Sequence, residues 1–301
     1  MLSNLQDTIL REGFGVYGIT YMDREGACET IRFRSNDRVN IYSGAKTFTA
    51  LAVMLCVEEG LLTLDDSIVR FFPQYEDCFF AGTEKVTIRH MLHMADGKPC
   101  AWFARPLRDT ITKDIALLYL QEPLVCTPGT VHNYSSACTY MLGRAVEAAA
   151  GCTVRDYLNP RVFRKLGIQN AQWLTCPLGH TLCSTGLLLT TEEYARLGML
   201  FVNKGFYKGQ RVIGGHALTQ MFNDTIYPDK PFAPDAETNV AYGYQLWHGT
   251  KKGIFRADGM YAQLCVFSPE TGRVVAVTAH EEKRPYDILR AVYRVFENAG
   301  S

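Results

Sequence analysis

Three short stretches of this sequence carry side chains that can do chemistry together. In Ile41-Tyr42-Ser43-Gly44-Ala45-Lys46-Thr47-Phe48-Thr49-Ala50-Leu51, a serine precedes a lysine by three positions, and an apolar run long enough for a buried helix follows. Helix positions i and i+3 share a face, so the Ser43 hydroxyl and the Lys46 amine can meet. A serine hydroxyl is a weak nucleophile until a base takes its proton. A lysine kept neutral by burial or by nearby cations can be that base. Gly44 and Ala45 are small, which leaves room for a substrate at the helix start, where backbone N–H groups point outward. A Ser with Lys three residues on also arises by chance, so the pair needs company.

The second stretch is Pro128-Gly129-Thr130-Val131-His132-Asn133-Tyr134-Ser135-Ser136, a turn and polar loop just before a helix. A buried tyrosine near a lysine can serve as a general base or proton relay; a core tyrosine with a satisfied hydroxyl is the plain alternative. The third is Phe255-Arg256-Ala257-Asp258-Gly259-Met260-Tyr261-Ala262, lying between strand-like runs. Gly259 allows the backbone to approach a ligand closely, and an N–H from this edge, paired with that of Ser43, would make an oxyanion hole. Taken alone, this is a turn between strands.

The elements that must position these residues follow from periodicity. Leu2, Leu5, Ile9 and Leu10 form one face of a first helix, and the segment 1–12 lacks the basic leader and continuous apolar core of a signal peptide. Residues 14–21 and 27–33 read as a β-hairpin turning at Asp23-Arg24-Glu25-Gly26. The helix opened by Ser43 runs to about Glu59, with Gly60 as its stop. From 87 to 239 the signals are mostly helix and loop: 87–93, 113–121, 137–150, a helix capped by Thr190 or Thr191, and 214–223. Strand-like runs return at 242–248, 253–256, 262–268 and 273–279. Pro285 to Glu297 closes the chain as an amphipathic helix with Ile288, Leu289, Val292, Val295 and Phe296 on its apolar side. These signals predict an α+β fold. An antiparallel sheet built from both chain ends (1–66 and 240–301) is flanked by helices, a mostly helical lobe (67–239) is inserted, and a site lies in the crevice between.

Composition excludes several functions. The chain has 301 residues, 31 basic and 31 acidic, with no long run of one sign, so nothing recruits nucleic acid or an anionic membrane. No stretch is long and apolar enough to span a bilayer, and a cytoplasmic protein is expected. The ten cysteines form no C-x-x-C pair and read as buried free thiols. His90 and His93 share a helix face without an accompanying ligand cluster, which makes them structural rather than metal ligands. His132 and His248 are candidates for the crevice, and Trp102, Phe103 and Tyr242 for an apolar acyl pocket, although such residues are more often packing groups.

In this order, the three stretches resemble the serine β-lactamase and penicillin-binding-protein superfamily, most nearly its class C-like branch of esterases, D-aminopeptidases and amide hydrolases. Gly60-Leu61-Leu62-Thr63-Leu64-Asp65-Asp66 looks like the family's helix exit. Thr87-Ile88-Arg89-His90-Met91-Leu92-His93-Met94-Ala95-Asp96-Gly97 looks like its T-I-R-x-L-L-x-x-x-S-G segment. Residues 185–198, from Thr185-Gly186-Leu187 to Arg196-Leu197-Gly198, look like its G-L-x-x-T-x-x-D-L-A-x-x-G helix. Ordered matches along a whole chain are far more specific than one motif. The resemblance implies a β-lactamase/transpeptidase-like fold and two-step acyl transfer through an acyl-enzyme on Ser43. It implies Lys46 and Tyr134 as partners in proton transfer, an oxyanion held by the N–H groups of Ser43 and Met260, and no metal or organic cofactor. Which of Lys46 and Tyr134 is the base stays open.

Two positions depart from the family's pattern. Its tyrosine motif usually ends in Asn, and here it ends in Ser136. Its third motif usually reads Lys-Thr-Gly, or His/Trp with a small residue and Gly; here it is Ala257-Asp258-Gly259, preceded by Arg256. A lysine there would attract the carboxylate of a β-lactam, whereas Asp258 would repel it unless Arg256 compensates; at short range the wrong sign costs several kcal/mol. Ser136, Arg256, Asp258 and Gly259 are therefore the expected substrate contacts. The expectation is a serine hydrolase of small neutral or amine-bearing esters, amides or short peptides, with weak or absent β-lactamase activity. A catalytically silent protein that binds a ligand or peptide in the same crevice is the alternative, since the Asn and the Lys/His of the two motifs are missing. A transpeptidase or other cell-wall enzyme would need export and a Lys-Thr-Gly-like motif.

Overall fold

The computed structural model describes residues 1–99, 114–231 and 233–297. Seven of the described strands build one antiparallel sheet. In spatial order they are Cys28–Arg32, Val16–Asp23, Arg273–Ala279, Gln263–Ser268, Phe255–Gly259, Leu246–His248 and Tyr242–Gly243. The first two strands and the last five thus come from opposite ends of the chain, which agrees with the α+β, split-sheet expectation.

Alternation along the strands dictates how the sheet is covered. In Arg273–Ala279, Val275, Val277 and Ala279 point to one side and Val274 and Ala276 to the other, all buried. Both faces are therefore apolar and must be sheathed. Helices Ser3–Glu12 and Pro285–Glu297 cover one side with Leu5, Ile9, Ile288, Leu289, Val292, Val295 and Phe296. Leu10, expected on that face, is 62% exposed; only Leu2, Leu5 and Ile9 of the expected set turn inward. A register shift between Val16 and Gly18 lets Val16 share the core side with Ile19 and Tyr21.

The other face carries helix Thr191–Val202, and here the expected lobe boundary needs correction. That helix lies in the segment assigned to the helical lobe, yet it packs on the sheet. A Cβ on Gly198 would come 2.5 Å from Val274, and Thr191 shares a 2.6 Å hydrogen bond with Thr278. Thr190 caps it, accepting from the Glu193 N–H at 3.2 Å, while Glu193 accepts from the Thr190 N–H at 3.0 Å.

Beneath this layer runs Ala45–Glu58, in which every residue from Ala45 to Cys56 is buried. A helix apolar all round has to sit at the centre of a domain. It packs against Ser136–Ala150 in one continuous apolar cluster that also contains Val274 and Ala276 of the sheet. Among the remaining expectations, 113–121 is observed as Ile115–Gln121 behind an Asp114 cap, 87–93 as Ile88–Leu92, and 214–223 as Gly215–Asn223. The run 242–248 is two short strands broken by Tyr244 and Gln245, both at positive φ. No helix of the described residues is long and apolar enough to cross a membrane.

Candidate active site

Ser43 sits in a single turn of 3-10 helix, Tyr42–Gly44, on which the buried helix Ala45–Glu58 is mounted. Tyr42 holds φ 46°, a left-handed conformation that costs an aromatic residue on the order of 1–3 kcal/mol and persists only where surroundings enforce it. The enforcement is visible: its N–H donates to Asn40 Oδ1 at 2.8 Å, and its ring meets Tyr261 edge-on at 5.2 Å. Gly44 does not leave space for a substrate, as the sequence suggested. A Cβ there would lie 2.0 Å from the Tyr194 hydroxyl, which passes beneath the turn and donates to the Ala257 carbonyl at 2.7 Å. Gly259 is likewise needed for an internal approach. A Cβ on it would fall 2.1 Å from the Ile41 carbonyl and 3.0 Å from the Ser43 nitrogen, so the strand end is pressed against the backbone of the serine turn.

Lys46 is buried, and its Nζ donates to Ser43 Oγ at 3.1 Å, to Ser136 Oγ at 3.0 Å and to the Ser184 carbonyl at 2.9 Å. Loss of solvation pulls its pKa down to about 7, with Cys138 and Asp258 acting weakly in the opposite sense. Ser136, where the family pattern has Asn, therefore still reaches the lysine. It does so from the first turn of Ser136–Ala150, a helix capped by the Ser135 hydroxyl.

Tyr134 faces the same point. Its ring stacks on Trp247 at 5.7 Å, meets Tyr242 edge-on at 6.0 Å, and lies 5.3 Å from Lys46 Nζ. Burial pushes its phenol well above the ordinary value, against a hydrogen bond with Ser43 that works the other way. Near neutral pH it is a phenol, not a phenolate.

These groups open into a cleft of about 410 Å³ lined by Ser43, Tyr134, Trp247, Asp258, Gly259, Met260, Tyr261, Glu281 and Tyr286, among others. A second cleft of about 770 Å³ begins on the far side of Tyr134, where Ser136, His132 and Lys98 take part in its walls. Arg256, expected to meet substrate, belongs to the interior. It is 1% exposed, with its guanidinium donating to Glu237 Oε2 at 2.8 Å and to Tyr293 Oη at 3.3 Å. Its Nε lies 3.1 Å from Asp258 Oδ2. Burial raises the Asp258 carboxyl while Arg256 opposes it. For Glu237, burial also pushes upward, but the hydrogen bonds from Thr250, Arg256 and Tyr293 prevail and hold it below the ordinary value.

Of the other candidates, His132 lies beside Tyr242 at 5.1 Å and Trp247 at 6.1 Å, and burial lowers its pKa to about 4. His248 turns away from the serine, packing edge-on against Phe255 at 4.7 Å. Tyr242 is buried behind Tyr134. Trp102 and Phe103 lie outside the described residues, as does Lys113. His90 closes a capping box with Thr87, and His93 Nε2 lies 2.8 Å from the Asp224 carbonyl. The nine described cysteines are free thiols, five of them buried. No group of three potential metal-ligating His, Cys, Asp or Glu side chains occurs among the described residues.

Glu237, Ser184, Tyr194, Trp247 and Tyr286 carry no motif that marks them as site residues in the sequence. Trp247 is the one with a usable signal, an aromatic residue in a strand-like run next to the third stretch. Ser184 contributes a backbone carbonyl, which no side-chain pattern reveals.

Comparison with known proteins decides the family. The family model described as Beta-lactamase matches residues 8–298. The chain belongs to the beta-lactamase family. This serine hydrolase family includes esterases and D-amino acid amidases. Penicillin-binding protein 4* of Bacillus subtilis (strain 168) is 26% identical over 146 residues, 46% of this chain and 31% of that protein. Lovastatin esterase of Penicillium rubens is 25% identical over 209 residues, 61% of this chain and 52% of that protein. The matches thus span about a third to a half of the length of these curated relatives. Among solved structures, the D-amino acid amidase from Ochrobactrum anthropi SV3 superposes with a TM-score of 0.78 at 16% identity, covering 99% of both chains. The penicillin binding protein from Bacillus halodurans gives 0.77 at 19% identity, over 98% of this chain and 100% of that one. At such identities the superpositions establish the beta-lactamase fold.

Proposed function

We propose that this protein hydrolyses small esters or amides through an acyl-enzyme on Ser43, with Lys46 as the acylation base. The observation that carries the reading is the Lys46 amine, buried, 3.1 Å from Ser43 Oγ and brought down to a pKa of about 7. A neutral amine there accepts the Ser43 proton as Oγ adds to the substrate carbonyl. In this reading the N–H groups of Ser43 and Met260 hold the developing oxyanion; the close approach of Gly259, the residue before Met260, to the serine turn supports it. Tyr134, held as a phenol, donates its proton to the departing alkoxide or amine and regains one from the Lys46 ammonium. Water then attacks the acyl carbonyl, its proton passing to the same lysine, and the lysine returns that proton to Ser43 Oγ as the acyl C–O bond breaks and the acid is released. Ser136 and Ser184 orient the amine throughout. The chain needs no metal for any of these steps.

Asp258 supports weak or absent β-lactamase activity, because its carboxylate stands where a cation would hold the carboxylate of a β-lactam. Turnover of p-nitrophenyl acetate and butyrate by the wild type, reduced to background in Ser43→Ala, is the expected result. Equal turnover in both proteins, or efficient penicillin hydrolysis, would overturn the reading. A silent ligand-binding protein is the outcome to adopt if the folded wild type turns over no ester or amide.

A further inference from the structure

The charges around the Ser43 cleft do not balance. Arg256 is the one cation among the described residues that line it, and that guanidinium is shared by two carboxylates. Glu237, 4% exposed, holds it from the interior at 2.8 Å, while Asp258, 16% exposed, holds it from the cleft side at 3.1 Å. One guanidinium between two carboxylates leaves one negative charge over, which Lys46 behind Ser43 opposes only in its protonated form, and Asp258 is the member that lines the cleft.

A second carboxylate lining the cleft adds to it. Glu281 is fixed as a carboxylate by the N–H groups of Lys283 at 3.0 Å, Arg284 at 3.1 Å and Gly15 at 3.3 Å. Tyr286, whose ring lines the cleft near the Asp258 charge, supplies an aromatic face, and such faces attract cations.

We infer that the cleft selects substrates carrying an organic cation, with Asp258 as the charged contact, Tyr286 as an aromatic wall, and buried Glu237 as the positioning residue that keeps Arg256 from neutralising Asp258. The inference rests on Ser43 being the nucleophile of this cleft. It replaces a mere exclusion of anionic substrates with a positive choice. Removing Glu237 would turn the Arg256 charge wholly toward Asp258 and weaken the preference without touching any ligand.

The test separates binding from turnover. Calorimetry on Ser43→Ala protein compares two isosteric pairs, butyrylcholine against 3,3-dimethylbutyl butyrate, and ethyl 4-(trimethylammonio)butyrate against ethyl 5,5-dimethylhexanoate. The two pairs place the cation on the leaving-group and acyl sides respectively. The cationic member should bind roughly ten-fold or more tightly in at least one pair. Adding Asp258→Asn should bring that ratio to about one, and adding Glu237→Gln should bring it part of the way. Monoethyl glutarate, an anionic probe, should bind more weakly than any of the four esters, a comparison that holds even if the added substitutions unfold the protein. Ratios near one in both pairs, or monoethyl glutarate binding as well as the cations, would overturn the inference. Ester turnover by the wild type without any preference would remove the cation selectivity and keep the hydrolase; preference without turnover would do the reverse.

Discussion

A lysine amine buried beside a serine hydroxyl has two charge states, and only the neutral one can take a proton. With Lys46 near 7, the reactive fraction grows as pH rises through neutrality. Hydrolysis of p-nitrophenyl butyrate should therefore increase from pH 5 to about 8, with kcat/KM at pH 5 roughly a hundred-fold below the plateau. A profile flat across this range would mean that Lys46 does not set the reactivity. The same shift carries a stability cost. The folded pKa lies below the unfolded value of 10.5, so the unfolded chain binds the extra proton and stability rises with pH above about 7; below 7 the penalty is complete. Lys46→Met removes the buried amine and should leave the protein inactive yet more stable at pH 7, by on the order of 1–3 kcal/mol in urea unfolding. Destabilisation would show instead that the hydrogen bonds to Ser43, Ser136 and Ser184 outweigh the desolvation of the amine.

At the scale of elements, the geometry depends on two backbones meeting where a side chain cannot fit. Gly259→Ala would thrust a methyl group at the Ile41 carbonyl, and neither partner can yield without moving the serine turn. The expected outcome is about 1–3 kcal/mol of lost stability together with at least a hundred-fold fall in kcat/KM. Unchanged kinetics would remove the strand end from the oxyanion site. The cap of helix Thr191–Val202 offers a contrast. Thr190→Ala should cost about 1 kcal/mol and leave kcat/KM within a factor of two or so, since the residue supports the sheet's cover and not the cleft.

How much of this was legible follows from what each element asks of its residues. The hairpin, the closing helix and the helix after Ser43 rest on periodicity and turn residues, which are local, and they stand where the sequence put them. The Ser43–Lys46 contact was equally local, because helix spacing alone brings i and i+3 together. Leu10 and helix Thr191–Val202 lie otherwise than local pattern suggests because burial is decided by partners far away in sequence. The room at Gly44 reads as space for substrate because nothing near it in sequence announces Tyr194. Arg256 reads as a substrate contact because Glu237, the buried acid that turns it inward, sits in a stretch of helix and loop signals with no mark of burial.

At the scale of the molecule, the apolar cluster beneath the sheet runs without a break from Val274 and Ala276 through Ala45–Glu58 into Ser136–Ala150. The sheet and the helical region therefore share a core, and unfolding one strips the other. Far-UV circular dichroism and tryptophan fluorescence should report a single coincident urea transition; two separated transitions would show lobes that hold independently.

The central claim is that Lys46 activates Ser43, and covalent labelling tests it most directly. Wild type, Ser43→Ala and Lys46→Met proteins are exposed to a fluorophosphonate at pH 6 and pH 8, and adducts are followed by intact-mass spectrometry. One adduct on the wild type, forming severalfold faster at pH 8, with none on Ser43→Ala and at most slow labelling of Lys46→Met, is the expected result. An adduct on Ser43→Ala, or labelling of Lys46→Met as fast as the wild type, would contradict it.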